Sequence, residues 1–448
     1  MLRRIQEKLN YTRIIALGFV LVILIGTALL SLPISARNGE RTPFLDCLFT
    51  ATSATCVTGL VVQDTCLHWS VFGQVVILFM IQIGGLGLMT VITMFALFAG
   101  KKLSLHDRRL LAQSAGNFSS AGMTALIKKI LLGTFIFEGI GIIVLALRFC
   151  PSLGLKGLWF AVFHSVSAFC NAGFDLMGGI TKTPFGSFTQ FYNDPVINLT
   201  LMFLIVMGGL GFLVWSDLLH CKLNVKKYKL HTKLILVSTA ILLVGGTILF
   251  FIFEYNSSLA GMKWWEKLLA SAFQSVSART AGFSTVDLAS LSGSGNILMD
   301  TLMIIGGSPG SCAGGMKTTT VAVVLISTFG YARNMDSVTC FKRKISEDSV
   351  RQAYVIFTVY LSAVLAAVCV VSAIEPFSIK DIAFELVSAI ATVGISTGIT
   401  TSLSTASKLI VILLMYAGRI GGLTLILAIA QKKKRAPLDR PTERILIG

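Results

Sequence analysis

The chain has 448 residues, of which 54% are hydrophobic and 13% charged, about half the charged share of a soluble domain. That balance excludes an ordinary water-soluble globular protein and reads as an all-α polytopic membrane protein. The formal net charge is +17, yet the run from 221 to 233 that carries Lys222, Lys226, Lys227, Lys229 and Lys233 holds one aromatic, Tyr228. A nucleic-acid groove needs interleaved aromatics on an exposed face, so no nucleic-acid partner is expected.

In chain order, the apolar segments fall into a pattern that occurs four times: a long helix, a half-length helix, a short run of small residues ending in glycine, and a second long helix. The first set is 14–32, 43–54 and 71–99; the second is about 123–149, 158–169 and 195–219. The third is 234–253, 264–278 and 296 to about 329; the fourth is 353–374, 382–391 and 408–430. The run after each short helix reads TSATCVTG at 52–59, SAFCNAG at 167–173, SARTAG at 277–282 and SAIATVG at 388–394. The closing glycines are separated by 114, 109 and 112 residues, a spacing that marks a fourfold internal repeat.

A segment of 10–14 apolar residues is too short for a hydrocarbon core of about 30 Å, so the four short helices are expected to enter and return by one face, between eight spanning helices. An even number of spans places both termini and every inter-repeat loop on one side. Those segments (1–13, 101–109, 221–233, 333–351 and the tail from 432) are basic, which assigns them to the cytoplasm. The expected units are repeat one (1–100), repeat two (101–220), repeat three (221–330), repeat four (331–431) and a cytoplasmic tail (432–448). The nine cysteines contain no CxxC pair and read as free thiols; Cys47 and Cys66, on the outer side, are the one couple placed to bond.

Non-helical backbone at membrane depth survives only where it lines a watery cavity, and four such backbones around one axis make a pore. Short helices whose negative C-terminal ends face the axis, followed by carbonyls that replace a hydration shell, favour cations. One such glycine reads as helix packing; four in register do not. Helix, pore helix, single-glycine filter and helix, four times in one polypeptide, resembles the Trk/Ktr/HKT superfamily of potassium transporters, and most closely its bacterial Ktr branch. The marks of that resemblance are TCVTG at 55–59, NAGF at 171–174, RTAGF at 279–283 and TVG at 392–394.

The resemblance implies a potassium filter formed by Cys56, Val57, Thr58 and Gly59; Cys170, Asn171, Ala172 and Gly173; Thr280, Ala281 and Gly282; and Ala391, Thr392, Val393 and Gly394. It also implies a homodimer in membrane lipid, seated on a cytosolic ring of nucleotide-binding regulatory subunits. Potassium is the expected cargo, with sodium as a second candidate, because one glycine per repeat stands where dedicated potassium channels have two. Glycine at 59 fits a potassium filter; plant members with serine there are sodium-selective.

A glycine pair follows each filter, at Gly84, Gly208, Gly306 and Gly421 with their successors. In repeat three the pair opens a run that cannot hold a helix: Gly306, Gly307, Ser308, Pro309, Gly310, Ser311, Cys312, Ala313, Gly314 and Gly315, then Lys317. As one helix, 296–329 would run about 51 Å, so a break is required. In the resembling family this is an intramembrane gating loop at 306–317, and Arg419 matches the arginine beside it. A phosphate-binding loop would need lysine directly after the second glycine and a preceding strand, and neither is present. A membrane-embedded enzyme is the rival class, but the five histidines (68, 106, 164, 220, 231) are scattered without metal spacing. An organic-substrate transporter would show two inverted halves. Glu138 and Glu385 read as bonded to neighbouring backbone or helix ends, with a direct ion site as the alternative; Arg279 reads as a brace of the pore helices, and Lys317 as either a loop contact or a residue reaching for the surface.

Overall fold

The computed structural model describes residues 11–87, 90, 123–181, 184–222, 224–335 and 337–421. The basic segment 101–109, the tail from 432, nearly all of 1–13 and the far ends of the expected helices 71–99 and 408–430 lie outside them. Fourteen α-helices of ten or more residues occur among the described residues. They are α1 Tyr11–Leu30, α2 Phe44–Cys56, α3 Val71–Leu86, α4 Met123–Leu153, α5 Leu155–Phe169, α6 Pro195–Leu210 and α7 Phe212–Cys221, then α8 Leu230–Glu254, α9 Trp264–Ser277, α10 Gly293–Ile304, α11 Thr318–Ala332, α12 Glu347–Ile374, α13 Ile379–Ala391 and α14 Thr405–Ile420. A two-residue hairpin pairs Thr339–Cys340 with Arg343–Lys344.

Among the described residues, helices α1, α4, α8 and α12 each contain a stretch long and apolar enough to cross a membrane, and α6 with α7 make a fifth if that bent pair is one span. Leu21, Leu147, Ile241 and Leu365 on these helices are exposed, as lipid-facing residues must be. Helices α2, α5, α9 and α13 have 13, 15, 14 and 13 residues; at 1.5 Å per residue they reach about 20 Å, too short to span.

The second long helix of repeat two is broken, which corrects the reading of it as a single span, and those of repeats one and four end within the described residues. Helix α3 ends at Leu86, α6 at Leu210 and α14 at Ile420. The residue that follows is glycine each time, with φ/ψ of 84°/136° at Gly87, 95°/138° at Gly211 and 86°/137° at Gly421. Positive φ with extended ψ is a combination that glycine alone adopts readily, and an α-helix cannot run through it. At Gly211 the turn between α6 and α7 is 93°. In repeat three the helix stops at Ile304 and resumes at Thr318.

Each of these second helices starts from a side-chain cap that satisfies an otherwise orphan amide. Ser70 accepts from Gly73 N, Asp194 from Val196 N and Ile197 N, Ser292 from Gly295 N, and Ser404 from Ser407 N. Packing then closes a ring. Helix α3 contacts α5, α6 contacts α9, α10 contacts α13 and α14 contacts α2, so each second helix lies against the short helix of the next repeat and the fourth returns to the first. An ion pair between Lys408 and Asp46 at 3.3 Å fastens that last junction.

Candidate functional site

The four short helices stop in the same way. Beyond α2, α5 and α13 the residue two before the glycine is left-handed: Val57 (φ 57°), Asn171 (58°) and Thr392 (51°). In repeat three, whose signature is one residue shorter, Thr280 (69°) takes that place. The residue before each glycine donates its amide to the carbonyl of the signature serine: Thr58 to Ser53 at 2.8 Å, Ala172 to Ser167 at 2.8 Å, Ala281 to Ser277 at 2.9 Å and Val393 to Ser388 at 2.9 Å. In repeats one, two and four the left-handed residue adds the second bond of a Schellman cap, to Ala54, Ala168 and Ala389. The cap swings the backbone from helix into an extended strand. Of the expected filter residues, Cys56 and Ala391 are the last residues of α2 and α13, and Cys170 caps α5.

The serine hydroxyl ties the strand back to its helix. Ser53 and Ser388 Oγ accept from the Gly59 and Gly394 amides at 3.1 Å. Ser167 Oγ donates to Phe174 O at 2.7 Å, and Ser277 Oγ donates to Phe283 O. The four glycines meet one another. A methyl on Gly59 would lie 2.6 Å from Ala172 O and 2.9 Å from Gly173 Cα; one on Gly173, 2.8 Å from Gly282 Cα; one on Gly282, 2.7 Å from Val393 O; and one on Gly394, 2.7 Å from Gly59 Cα. Contacts that close admit no side chain, which is why each strand ends in glycine.

On one side of the ring opens a cavity of about 630 Å³ bordered by all four glycines and by Asp64, Asp175 and Asp287. Close to the ring, Thr58, Asn171, Thr280 and Thr392 each bury a side-chain oxygen without a hydrogen-bond partner. At least one orphan oxygen in every repeat, at the ends of four helices whose negative poles converge, makes the centre attractive to a bare cation.

On the other side of the ring lies 305–317. A methyl on Gly306 would be 3.4 Å from the Thr280 side chain and one on Gly315 2.8 Å from Ala391 O, while one on Gly314 would strike Thr392. The loop is hydrogen-bonded to the break in α6: Ser308 N to Gly209 O at 3.1 Å, Cys312 N to Gly208 O at 3.1 Å, and Phe212 N to Gly310 O at 2.8 Å. Lys317 Nζ donates to Ala313 O at 2.7 Å and Gly314 O at 3.3 Å, so it holds the loop instead of reaching for the surface. Arg419 bridges the loop to α3 by donating to Cys312 O, Gly84 O and Gly85 O.

Arg419 owes its position to a register that the glycine-pair reading missed. Methyls on Gly84, Gly208 and Gly418 would strike Thr55 O, Phe169 O and Ile390 O, the carbonyls near the ends of α2, α5 and α13. The partner of Gly84 and Gly208 is therefore Gly418, not Gly421, and Gly421 matches the break glycines 87 and 211. The stretches are GGLG, GGLG and GRIG: Arg419 stands where Gly85 and Gly209 stand. Glu138 Oε1 accepts from Gln82 Nε2 at 3.0 Å, a side chain instead of backbone or a helix end, and the Arg279 backbone carbonyl accepts from Asn171 Nδ2 at 3.4 Å. All nine cysteines, Cys47 and Cys66 included, are free thiols.

A multi-pass helical membrane protein with short helices converging on an oxygen-lined ring belongs among the ion transporters, not the enzymes. Residues 8–436 match the family described as TrkH, cation transport protein, and the chain belongs to that family. It is 41% identical to the potassium/sodium uptake protein NtpJ of Enterococcus hirae, over 100% of this chain and 99% of that protein. It is 37% identical to the Ktr system potassium uptake protein B of Vibrio alginolyticus, over 100% and 97% of the two chains. The crystal structure of the potassium transporter TrkH from Vibrio parahaemolyticus superposes with a TM-score of 0.70 at 15% identity, covering 92% of this chain and 84% of that one, a likeness of fold alone.

Proposed function

We propose that the protein takes up potassium across the cell membrane, driven by the membrane potential, through a filter formed by the four glycine-terminated strands. The observation that carries this reading is the ring itself: four backbone strands in mutual contact at Gly59, Gly173, Gly282 and Gly394, with an acidic cavity bordering them. A cation gathered by Asp64, Asp175 and Asp287 sheds water as strand carbonyls replace it. The relatives named for potassium uptake support the choice of ion. In this reading each repeat crosses the membrane twice, its second crossing broken at the glycine turn, and both termini are cytoplasmic.

The loop 306–317 is the gate. It lies across the base of the ring, its polypeptide is rich in glycine, and bonds from Lys317 and Arg419 hold it there. The chain works as a homodimer in membrane lipid, and a cytosolic nucleotide-binding partner moves the gate; relatives described as one protein of a Ktr system support a partner. A second reading, sodium-permeable or sodium-coupled transport, is favoured by the single glycine per strand and by the relative named for both ions. Rescue of potassium-uptake-deficient bacteria at low potassium, with and without a candidate cytosolic partner, tests the function. Growth without added sodium but not without potassium is expected, and no rescue in either arm sinks the reading.

A further inference from the structure

One helical turn before the signature serine, every short helix carries a polar side chain sealed inside the protein. These are Thr50, His164, Gln274 and Glu385, each no more than 1% exposed. An enclosed polar group that finds no partner is costly, so the destination of its bonds is informative. Three of the four reach the segment that follows their own filter glycine. The Leu176 amide donates to His164 Nε2 at 3.0 Å, which leaves the ring proton on Nδ1, where it donates to Phe160 O at 2.7 Å. Gln274 Nε2 donates to Ser284 Oγ at 2.9 Å, and the Ser284 amide in turn donates to Ser187 Oγ of the second repeat at 3.1 Å. Thr400 Oγ1 donates to Glu385 Oε1. The Thr50 hydroxyl has no partner.

We propose that His164, Gln274 and Glu385 are positioning residues that set ion specificity, an inference that rests on the filter reading above. Each adds a bond beyond the filter glycine: in repeats two and three it backs up the serine, which already reaches Phe174 O and Phe283 O, and in repeat four it is the bond that complements the Ser388 bond to the Gly394 amide. Strand one has the Ser53 bond to the Gly59 amide but no bond from Thr50. A cage of carbonyls prefers potassium over the smaller sodium only while it resists shrinking. A strand released at one end can follow the ion inward, so losing a buttress lowers discrimination before it lowers flux. The four positions are equivalent in the repeat yet chemically different, which makes Thr50 a built-in control.

The test is the ratio of potassium to sodium flux in proteoliposomes made from monodisperse protein. Glu385→Leu and Gln274→Met should each lower the ratio about three- to tenfold, the equivalent of one hydrogen bond. Glu385→Gln, which keeps an acceptor for Thr400, and Thr50→Val, which loses no bond, should hold it within about twofold. Thr400→Val deletes the Glu385 bond from the loop side, leaves the pore helix intact, and should reproduce Glu385→Leu should that variant fail to fold. An unchanged ratio in Thr400→Val and Gln274→Met overturns the inference, as does a Thr50→Val shift as large as theirs. Gly59→Ser separates the two readings. If it shifts the ratio while the buttress variants do not, the buttress role alone falls; if none of them shifts it, the filter reading falls.

Discussion

Replacing Arg419 by alanine tests the gate most directly, because this side chain ties the loop to a different repeat. Its guanidinium donates to Cys312 O on the loop and to Gly84 O and Gly85 O on α3. Only the first of these bonds holds the loop; the other two anchor the arginine. A hydrogen bond from a charged donor contributes about 1.5–3 kcal/mol, and water reaching Cys312 O in the variant returns part of it. A net loss of about 1–2 kcal/mol in the closed state corresponds to a rise of about five- to thirtyfold in the open-to-closed ratio. The remaining bonds, donated by Ser308, Cys312, Lys317 and Phe212, keep the loop from leaving altogether. Rubidium tracer uptake into proteoliposomes, after gel filtration has shown the variant to be folded, reads the outcome. Arg419→Lys keeps the charge but not the planar fork that spans two carbonyls, so it should fall between the wild type and Arg419→Ala. Equal or lower flux through folded Arg419→Ala would refute the latch.

Deleting residues 308–314 should raise flux further than Arg419→Ala and loosen its dependence on a cytosolic partner; a folded deletion with unchanged flux reduces the stretch to a kink. Gly59→Ser should weaken potassium preference, since any side chain at Gly59 meets Ala172 O and Gly173; ion competition on reconstituted protein decides it. Gly418→Ala should lower stability by about 1–3 kcal/mol, because its methyl strikes the Ile390 carbonyl, whereas Gly245→Ala, with nothing near, should not. Melting temperatures of the pair settle that point. Burial lowers the pKa of His68, in the segment between α2 and α3, from its ordinary 6.5, against the opposing pull of Asp46 and Asp64. The neutral ring is thus favoured by the fold, and its contribution to stability is full above the unfolded value and lost as pH falls through the folded one. His68→Gln should flatten the decline in melting temperature between roughly pH 7 and 5; identical slopes for both proteins would exclude this group.

The ring was legible because it depends on local chemistry written into the chain. A serine that caps a helix, small residues and a glycine recur at near-constant spacing, and each piece forms for reasons within about seven residues. The breaks in the second helices were less legible. Gly87, Gly211 and Gly421 sit inside apolar runs where composition reads as continuous helix, and the turn follows from φ/ψ that only packing selects. The wrong pairing of Gly421 with Gly84 and Gly208 has the same origin. Counting glycine pairs ignores which glycine faces the neighbouring carbonyl, and in repeat four the second member of the pair is arginine. The polar layer at Thr50, His164, Gln274 and Glu385 escaped the motif because its members share a position but no chemistry.

Under the gating proposed above, that arginine shows how a gate arises in a repeated scaffold. Four identical repeats would give a symmetric ring with glycine turns below it and nothing to close the path. Closure requires two departures from symmetry, and they complement each other. Repeat three replaces the simple turn with a longer non-helical loop, whose carbonyls lie across the base of the ring and need donors. Repeat four replaces the second glycine of GGLG with Arg419, whose guanidinium supplies donors but would be costly at this depth without carbonyls to meet. Neither departure is stable alone: the loop without the arginine leaves Cys312 O to water, and the arginine without the loop retains only Gly84 O and Gly85 O. The double variant, Arg419→Ala in the 308–314 deletion, should therefore pass ions no faster than the deletion alone. A further additive rise in flux would mean that Arg419 restrains ions by its charge instead of by holding the loop.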